Sequence, residues 1–317
     1  MRVAEPPPVV VFAPSLILTV TIESGSGGAP ELHLHAGGQG LWVARMAAIL
    51  GARVTLCTAL GGESGHVLAG LLAGEEIDLV SVTSMGSNGS YVHDRRSGER
   101  TPIVEIAGAA LSRHELDDLY GKTLLAALRS GTLILAGPQD RTIAGAIYAR
   151  LAKDARENDV AVIADLTGEP LAGALAGGVT LLKISEKELQ GEGFPATEDQ
   201  LIGQLRAIAL LHERGARNVI LSRGQAGALA LVDGQLHEVT GPRLTAADRH
   251  GTGDSMTAAA AVGIARGLTP HDWLALATSA GTVNATRHGL GTGTRGEIEQ
   301  LRNLIHVRTL PHTMREI

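Results

Sequence analysis

Cysteine is nearly absent from this 317-residue sequence: Cys57 stands alone, so no disulfide within the chain can form. That fits a reducing compartment, and a cytoplasmic location is the expectation. Cys57 lies in the apolar run Val54-Thr55-Leu56-Cys57 and reads as core rather than as a nucleophile. Aromatic residues make up only 2%, so any core must be built from Ala, Leu, Val and Ile. No run of about 18 apolar residues occurs, which argues against a membrane-spanning helix. The stretch Met1–Pro8 lacks the apolar segment of a signal peptide, and Pro6-Pro7-Pro8 reads as a stiff leader. There is no long basic run or aromatic-basic platform, and the formal net charge is −6, so nucleic acid is not an expected partner. Glycine is plentiful at 41 residues, but without a Gly-X-Y period it signals tight turns rather than collagen.

What is present is a rhythm. Short apolar runs, at Val9–Ala13, Val54–Thr58, Thr132–Ala136, Val160–Asp165, Val179–Lys183, Val219–Ser222 and Ala228–Val232, alternate with longer amphipathic ones. The latter predict helices over Gly40–Leu50, Ser64–Ala73, His114–Arg129, Asp140–Asn158, Glu198–Arg214, Asp254–Arg266 and Pro270–His288. Strand then helix, repeated, predicts an α/β fold with a mostly parallel sheet and helices on both faces. Leu16–His35 and Val80–Ile106 break the rhythm and read as hairpins. Pattern alone leaves open whether they pair into a small sheet or remain two surface excursions. The tail after Leu310 reads as a peripheral extension.

The most informative segment is Asp248-Arg249-His250-Gly251-Thr252-Gly253-Asp254-Ser255, which runs into an Ala-rich stretch. A glycine loop that opens a helix presents unpaired N–H groups and the positive end of the helix dipole to an anion. Such a nest can stabilise a phosphoryl group in transfer. Asp254 can accept the proton of an attacking alcohol. In isolation, the same residue would pass for an ordinary first-turn carboxylate. The segment is not a Walker A loop, since no Gly-x-x-x-x-Gly-Lys-Ser/Thr occurs. A dinucleotide fold is disfavoured too, because Gly61-Gly62-Glu63-Ser64-Gly65 lacks the Gly-x-Gly-x-x-Gly spacing.

Gly251-Thr252-Gly253-Asp254 resembles the Gly-Ala-Gly-Asp signature of ribokinase-like carbohydrate kinases, the PfkB family. Other stretches resemble that family's motifs in the same order: Gly37–Ala44, Leu60–Gly65, Asp165-Leu166-Thr167-Gly168, Lys183–Leu189 and Ser222–Ala228. The likeness is nearest to the 1-phosphofructokinase and tagatose-6-phosphate kinase branch. It implies one kinase domain over residues 1–317, a ribokinase-like, Rossmann-type three-layer sandwich. A small β-sheet lid would be drawn from about 16–35 and 80–106, and a homodimer formed through that lid.

The resemblance also implies roles. Asp254 would be the base, and Gly251, Thr252 and Gly253 the anion hole. Lys183, Ser222, Gly224, Gly227 and Asn284 would serve ATP. Glu188 would help hold Mg²⁺. Gly37, Gly38, Gln39, Trp42 and Ser90 would face the acceptor. Lys183 reads equally as a lysine that closes a buried strand, Glu188 as an exposed helix residue, and Gly224 and Gly227 as a plain turn. His33, His35 and His93 read as strand-surface histidines, and His250 as a group within reach of phosphate.

Several positions depart from the branch. Its metal-motif asparagine is Ser185, its sugar-binding aspartate Ile17, its lysine Gln39, its sugar-contacting asparagine Trp42 and its lid arginine Ser90. Arg95, Arg96 and Arg100 could supply cations from new places. The expected activity is therefore ATP-dependent phosphorylation of a sugar or sugar phosphate. A nonphosphorylated sugar or nucleoside kinase, and a catalytically weak nucleotide- or metabolite-binding protein, stand as alternatives.

Overall fold

Apolar β-branched runs make the strands here, and the Ala- and Leu-rich stretches between them make the helices. A computed structural model describes residues 5–138, 143–194, 200–248, 250–287 and 289–313. The first strands are β1 (Pro8–Phe12), β2 (Ile17–Ser24), β3 (Pro30–Gly37), β4 (Arg53–Gly61), β5 (Asp78–Ser84), β6 (Gly89–Asp94) and β7 (Thr101–Ile106). Then come β8 (Thr132–Ala136), β9 (Ala161–Asp165), β10 (Val179–Ser185), β11 (Ala216–Ser222), β12 (Ala228–Val232), β13 (Gln235–Thr240) and β14 (His306–Thr313). The first helices are α1 (Gln39–Ile49), α2 (Gly62–Leu72), α3 (Arg113–Ser130), α4 (Gly145–Arg156) and α5 (Gly168–Gly177). The later ones are α6 (Glu186–Gly191), α7 (Gln200–Glu213), α8 (Thr252–Ala265), α9 (Pro270–Ala285) and α10 (Arg295–Arg302).

Ten strands form one sheet in the order β14-β13-β12-β11-β10-β9-β8-β1-β4-β5. Neighbours from β5 to β11 run parallel, whereas β12, β13 and β14 extend the edge antiparallel. Parallel strands need crossovers, and those helices cover both faces. Along β1, Val9 and Val11 pack with α1, α8 and α9, while Val10 and Phe12 pack with α3 and α4. Helix α8 is buried from Asp254 to Gly263, which is why its sequence is rich in Ala and carries no charge after Asp254. Cys57 is fully buried, and burial pushes its thiol up to about 11, an inert core position.

The small sheet has the order β3-β2-β6-β7. One face carries Thr21, His33 and His93 in register; the other carries Val20, Leu34, Val92 and Val104. Asn88 ties the crossing point between the two sheets. It donates to the carbonyls of Leu16 and Ala59 and accepts from the Gly61 amide.

The expected three-layer α/β arrangement with a small sheet beside it is what forms, with local corrections. Residues 78–84 pair with β4 in the large sheet, so only β6 and β7 of the second hairpin region join the small one. Asn88, not an uninterrupted strand, redirects the chain between them. As far as Thr313 the tail is no peripheral extension, because β14 pairs with β13; the residues after it lie outside the described ones. Nor is the proline run only a leader, since Pro8 opens β1 and the Pro7 carbonyl accepts from Arg53. Helix α4 begins at Gly145; Asp140, where the expected helix starts, lies outside the described residues, as do Glu198 and His288. Helices α5, α6 and α10 and strand β13 have no counterpart in the sequence pattern.

Candidate active site

The C-terminal ends of the parallel strands meet the N-termini of two helices. Helix α1 starts after Gly38 at φ 119°, and α8 after Gly251 at φ 72°. Both angles lie in the left-handed region that glycine tolerates best. Gly251 thereby turns the chain so that Thr252, Gly253 and Asp254 form the first turn of α8, with their N–H groups at its positive end.

Asp254 is largely buried, 9% exposed, and stands beside a charged network. Lys183, from β10, places Nζ 3.3 Å from Asp165 Oδ1 and 3.6 Å from Glu188 Oε2. Asp165 Oδ2 accepts from Thr257 Oγ1 at 2.8 Å, which fastens the end of β9 to α8. A Cβ at Gly253 would lie 2.2 Å from Lys183 Nζ, so glycine is what lets the helix seat against that ammonium. Gln39 accepts from the Gly137 amide at 2.7 Å and donates to the Asp165 carbonyl at 3.3 Å. Its side chain is also among the groups whose influence on Asp254 opposes the effect of burial.

Three carboxylates share one ammonium. Burial, reinforced by the charge of Asp165, pushes Asp254 up to about 7. Burial also pushes Asp165 up, against the pull of Lys183. For Lys183, burial opposes the charge, but Asp165 and Glu188 outweigh it and raise the ammonium to about 12. Glu188 is lowered: burial opposes its ionisation, and Lys183 with the Ser185 bonds overcomes that. A carboxyl poised near neutrality beside a helix N-terminus is equipped to take a proton from an alcohol.

The other expected residues are distributed around this centre. Ser222 closes β11, and Gly224 (φ 57°) and Gly227 (φ 81°) shape the turn into β12. Asn284 is fully buried with its amide in use: Nδ2 donates to the His250 carbonyl and Oδ1 accepts from the Thr292 amide. It holds the glycine loop and presents no open edge. Ser185 and Glu188 form a reciprocal capping box at the start of α6, so serine does here what an N-cap requires. Among the described residues, no group of three or more His, Cys, Asp or Glu is arranged to hold a metal.

Of the residues expected to face an acceptor, Gly37 and Gly38 join the small sheet to α1, and Trp42 lies against Gly37. Ser90 sits in β6 opposite Leu18 and Ile106. His250 bonds to Asp248, 2.6 Å from Nδ1 to Oδ1. The small sheet adds a chain of contacts that the sequence did not signal. His93 is buried, its Nε2 lies 2.9 Å from Glu105 Oε1, and its Nδ1 accepts from Arg100 Nε at 2.8 Å. Arg100 and Arg95 both feel the Asp248 carboxylate. Sequence reasoning also passed over Asp165 and Thr257 as individuals. The available signals were a carboxylate closing an apolar strand and a hydroxyl one turn after Asp254 in an alanine-rich helix.

A family model described as pfkB family carbohydrate kinase matches residues 15–295. The ATP-dependent 6-phosphofructokinase isozyme 2 of Mycobacterium tuberculosis is 28% identical over 279 residues, 86% of this chain and 80% of that protein. The 1-phosphofructokinase of Vibrio cholerae is 23% identical over 310 residues, 96% of this chain and 97% of its own. Phosphofructokinase-2 from Escherichia coli shares the fold at a TM-score of 0.83 and 24% identity, covering 93% of this chain and 98% of that one. With a match that takes in the small sheet, most of the large one and the glycine loop, the chain belongs to the pfkB family of carbohydrate kinases, and its reaction is transfer of a phosphoryl group from ATP to a sugar hydroxyl.

Proposed function

We propose that Asp254 is the general base of this kinase and that the N–H groups of Gly251, Thr252 and Gly253 form its anion hole. The observation that carries this reading is the position of Asp254, in the first turn of the glycine-capped helix α8 with its carboxyl held near 7. In the reaction, the acceptor oxygen attacks the γ-phosphorus and loses its proton to Asp254. The bond to the β–γ bridging oxygen breaks, and ADP departs. The helix N-terminus offsets charge on the phosphoryl oxygens throughout.

ATP is placed along the β11–β12 turn, against Ser222, Gly224 and Gly227. Lys183 serves it indirectly by neutralising Asp165 and Glu188. Glu188 suits Mg²⁺: it is a hard oxygen donor, its pKa is lowered, and its side chain is 34% exposed. One carboxylate is enough for an ion that keeps several waters. Bound with ATP, Mg²⁺ would neutralise phosphate charge.

The acceptor proposed is a sugar phosphate, the substrate class named in its relatives. Gln39 and Ser90 carry no charge, so the cations come from Arg95 and Arg100 on the small sheet. Trp42 offers a flat face to the ring. A nonphosphorylated sugar or nucleoside is the second reading, favoured by those same uncharged residues. The small sheet acts as a lid that excludes water from the reaction. Leu32, Leu34, Val104 and Ile106 are exposed on it, a face suited to the lid of a second copy. No described helix is long and apolar enough to cross a membrane, and the proposed setting is the cytoplasm.

The test is ADP release from Mg-ATP over a panel of sugar phosphates, sugars, sugar acids and nucleosides, with wild type and Asp254→Asn. At least one acceptor should turn over, and the variant should lose roughly 10²–10⁴-fold in kcat. Turnover in Asp254→Asn within tenfold of wild type removes the base assignment. Turnover confined to uncharged acceptors selects the second reading.

A further inference from the structure

The N–H groups of the proposed anion hole are held in different ways. Thr252 and Gly253 stand in the first turn of α8. The Gly251 carbonyl points down that helix, where it accepts from the Ser255 amide at 2.9 Å and from Ser255 Oγ at 2.8 Å. A trans peptide sets its C=O and N–H in opposite directions, and no peptide here is cis. The Thr252 N–H therefore points out of the helix N-terminus. The Gly251 N–H belongs to the peptide it shares with His250, which lies ahead of the helical ladder.

Asn284 sets the direction of that peptide. It is fully buried near the end of α9, and its Nδ2 donates to the His250 carbonyl at 2.8 Å. The amide cannot be turned the other way, because Oδ1 accepts from the Thr292 N–H at 3.2 Å. The His250 carbonyl thus points toward α9, and the Gly251 N–H points away from it. A Cβ at Gly251 would stand 3.3 Å from Asn284 Nδ2, so the loop rests closely on the amide. The backbone supplies a separate tie: the Ala285 carbonyl accepts from the Ala247 amide at 2.8 Å and the Asp248 amide at 3.2 Å. Removing the Asn284 amide would release one peptide and leave the stretch before it attached to α9.

Glycine makes this peptide easy to reverse. A flip would carry Gly251 from φ 72° to the negative side, which glycine adopts as readily. The flipped peptide would present a carbonyl oxygen where the N–H had been, and attraction for a phosphoryl group would become repulsion. We infer that Asn284 is a positioning residue: its amide holds the His250–Gly251 peptide so that the Gly251 N–H stays turned to the phosphoryl group in transfer. The inference rests on the anion-hole reading above, and it replaces the expectation that Asn284 serves ATP by direct contact.

The experiment compares wild type with Asn284→Leu and Asn284→Asp. Leucine is similar in size and makes no hydrogen bonds. Aspartate keeps the acceptor for Thr292 but sets an oxygen against the His250 carbonyl. Thermal unfolding identifies the folded variants, and either one suffices. Initial rates use an acceptor identified with the wild-type enzyme. In the variants kcat and kcat/KM should fall together by roughly 10²-fold, the value of one oxyanion-hole donor, with both KM values nearly unchanged. Affinity for Mg-ADP is then measured with and without aluminium fluoride, which stands in for the phosphoryl group in transfer. Wild type should bind Mg-ADP at least about tenfold more tightly with the fluoride, as a transition-state mimic does. The variants should lose most of that gain and bind Mg-ADP alone as wild type does. A folded variant whose kcat matches wild type overturns the inference. So does a rise in the KM for ATP, or in the Kd of Mg-ADP alone, with kcat unchanged, which would make Asn284 a nucleotide contact. If wild type gains nothing from aluminium fluoride, the anion hole itself fails; if wild type and variants gain equally, only the role of Asn284 fails.

Discussion

Lys183 Nζ lies 3.3 Å from Asp165 Oδ1, and both side chains are almost entirely shut off from water, at 3% and 2% exposure. A buried ion pair costs much desolvation on each side, and the loss of one partner strands the other. Lys183→Met should therefore destabilise the protein by about 3–5 kcal/mol in urea unfolding. Adding Asp165→Leu should recover part of that loss, because the carboxylate nearest the missing ammonium is then gone, while Glu188 and Asp254 still lack it. A Lys183→Met variant within about 1 kcal/mol of wild type would show that water reaches Asp165 and that the pair is not sealed.

The same pair bears on the pH response of Asp254, the proposed base. Asp254 is held up to about 7 by burial and by Asp165, so the ionised base accumulates as pH rises through that value. Activity should climb along an acid limb near 7 and level off above it. Asp165→Asn removes a neighbouring negative charge and should move the limb to lower pH. The pH profile of kcat for the two enzymes checks this. A limb that moves up, or stays, would mean that Asp165 is not felt at Asp254.

Stability carries the opposite sign from the usual carboxylate. Asp254 has a folded pKa near 7, above the ordinary unfolded value of about 3.9, so the folded state binds its proton more tightly. Its contribution opposes folding increasingly from about pH 4 to 7 and is fully unfavourable above that. Asp254→Asn removes the group. It should melt higher than wild type at pH 8, by about 2 °C or more, with a smaller gap at pH 5. Differential scanning calorimetry at the two pH values measures the gap, and a gap that grows toward pH 5 contradicts the assignment.

The parts of this molecule that the sequence made legible are those with local causes. Strands β8 and β12 occupy Thr132–Ala136 and Ala228–Val232 as expected, because fully buried strands are written as unbroken apolar runs. The loop before α8 was legible too, since a left-handed N-cap asks for glycine at Gly251 and the alanines after it ask for helix. The last two strands at one end of the large sheet were not. β13 reads Gln-Leu-His-Glu-Val-Thr and β14 contains Pro311, and such strands need only half a face buried. Helix α6, six residues long, is too short to show a period. The site's wiring was hidden for a different reason: Thr257 meets Asp165 across 92 residues and Gln39 meets Gly137 across 98. Contacts of that range follow from strand order, which no local pattern encodes.

Strand order also brings Glu105 opposite Tyr91 in the small sheet, next to His93. Glu105 takes the Nε2–H of His93, which leaves Nδ1 free to accept from Arg100. The imidazole thus fixes the direction of a guanidinium whose surroundings include Asp248, on the loop that leads to Asp254. If the acceptor carries a phosphate, Arg100 is placed to meet it. Arg100→Ala should raise the KM for a sugar phosphate by roughly 10–100-fold, the value of charge-assisted hydrogen bonds, and leave the KM for ATP unchanged. His93→Gln should give a smaller rise, because the arginine remains but loses its guide. Initial-rate measurements with both substrates varied distinguish these effects. An unchanged sugar-phosphate KM in Arg100→Ala would put the anion elsewhere, and a rise in the ATP constant instead would move Arg100 to the nucleotide side.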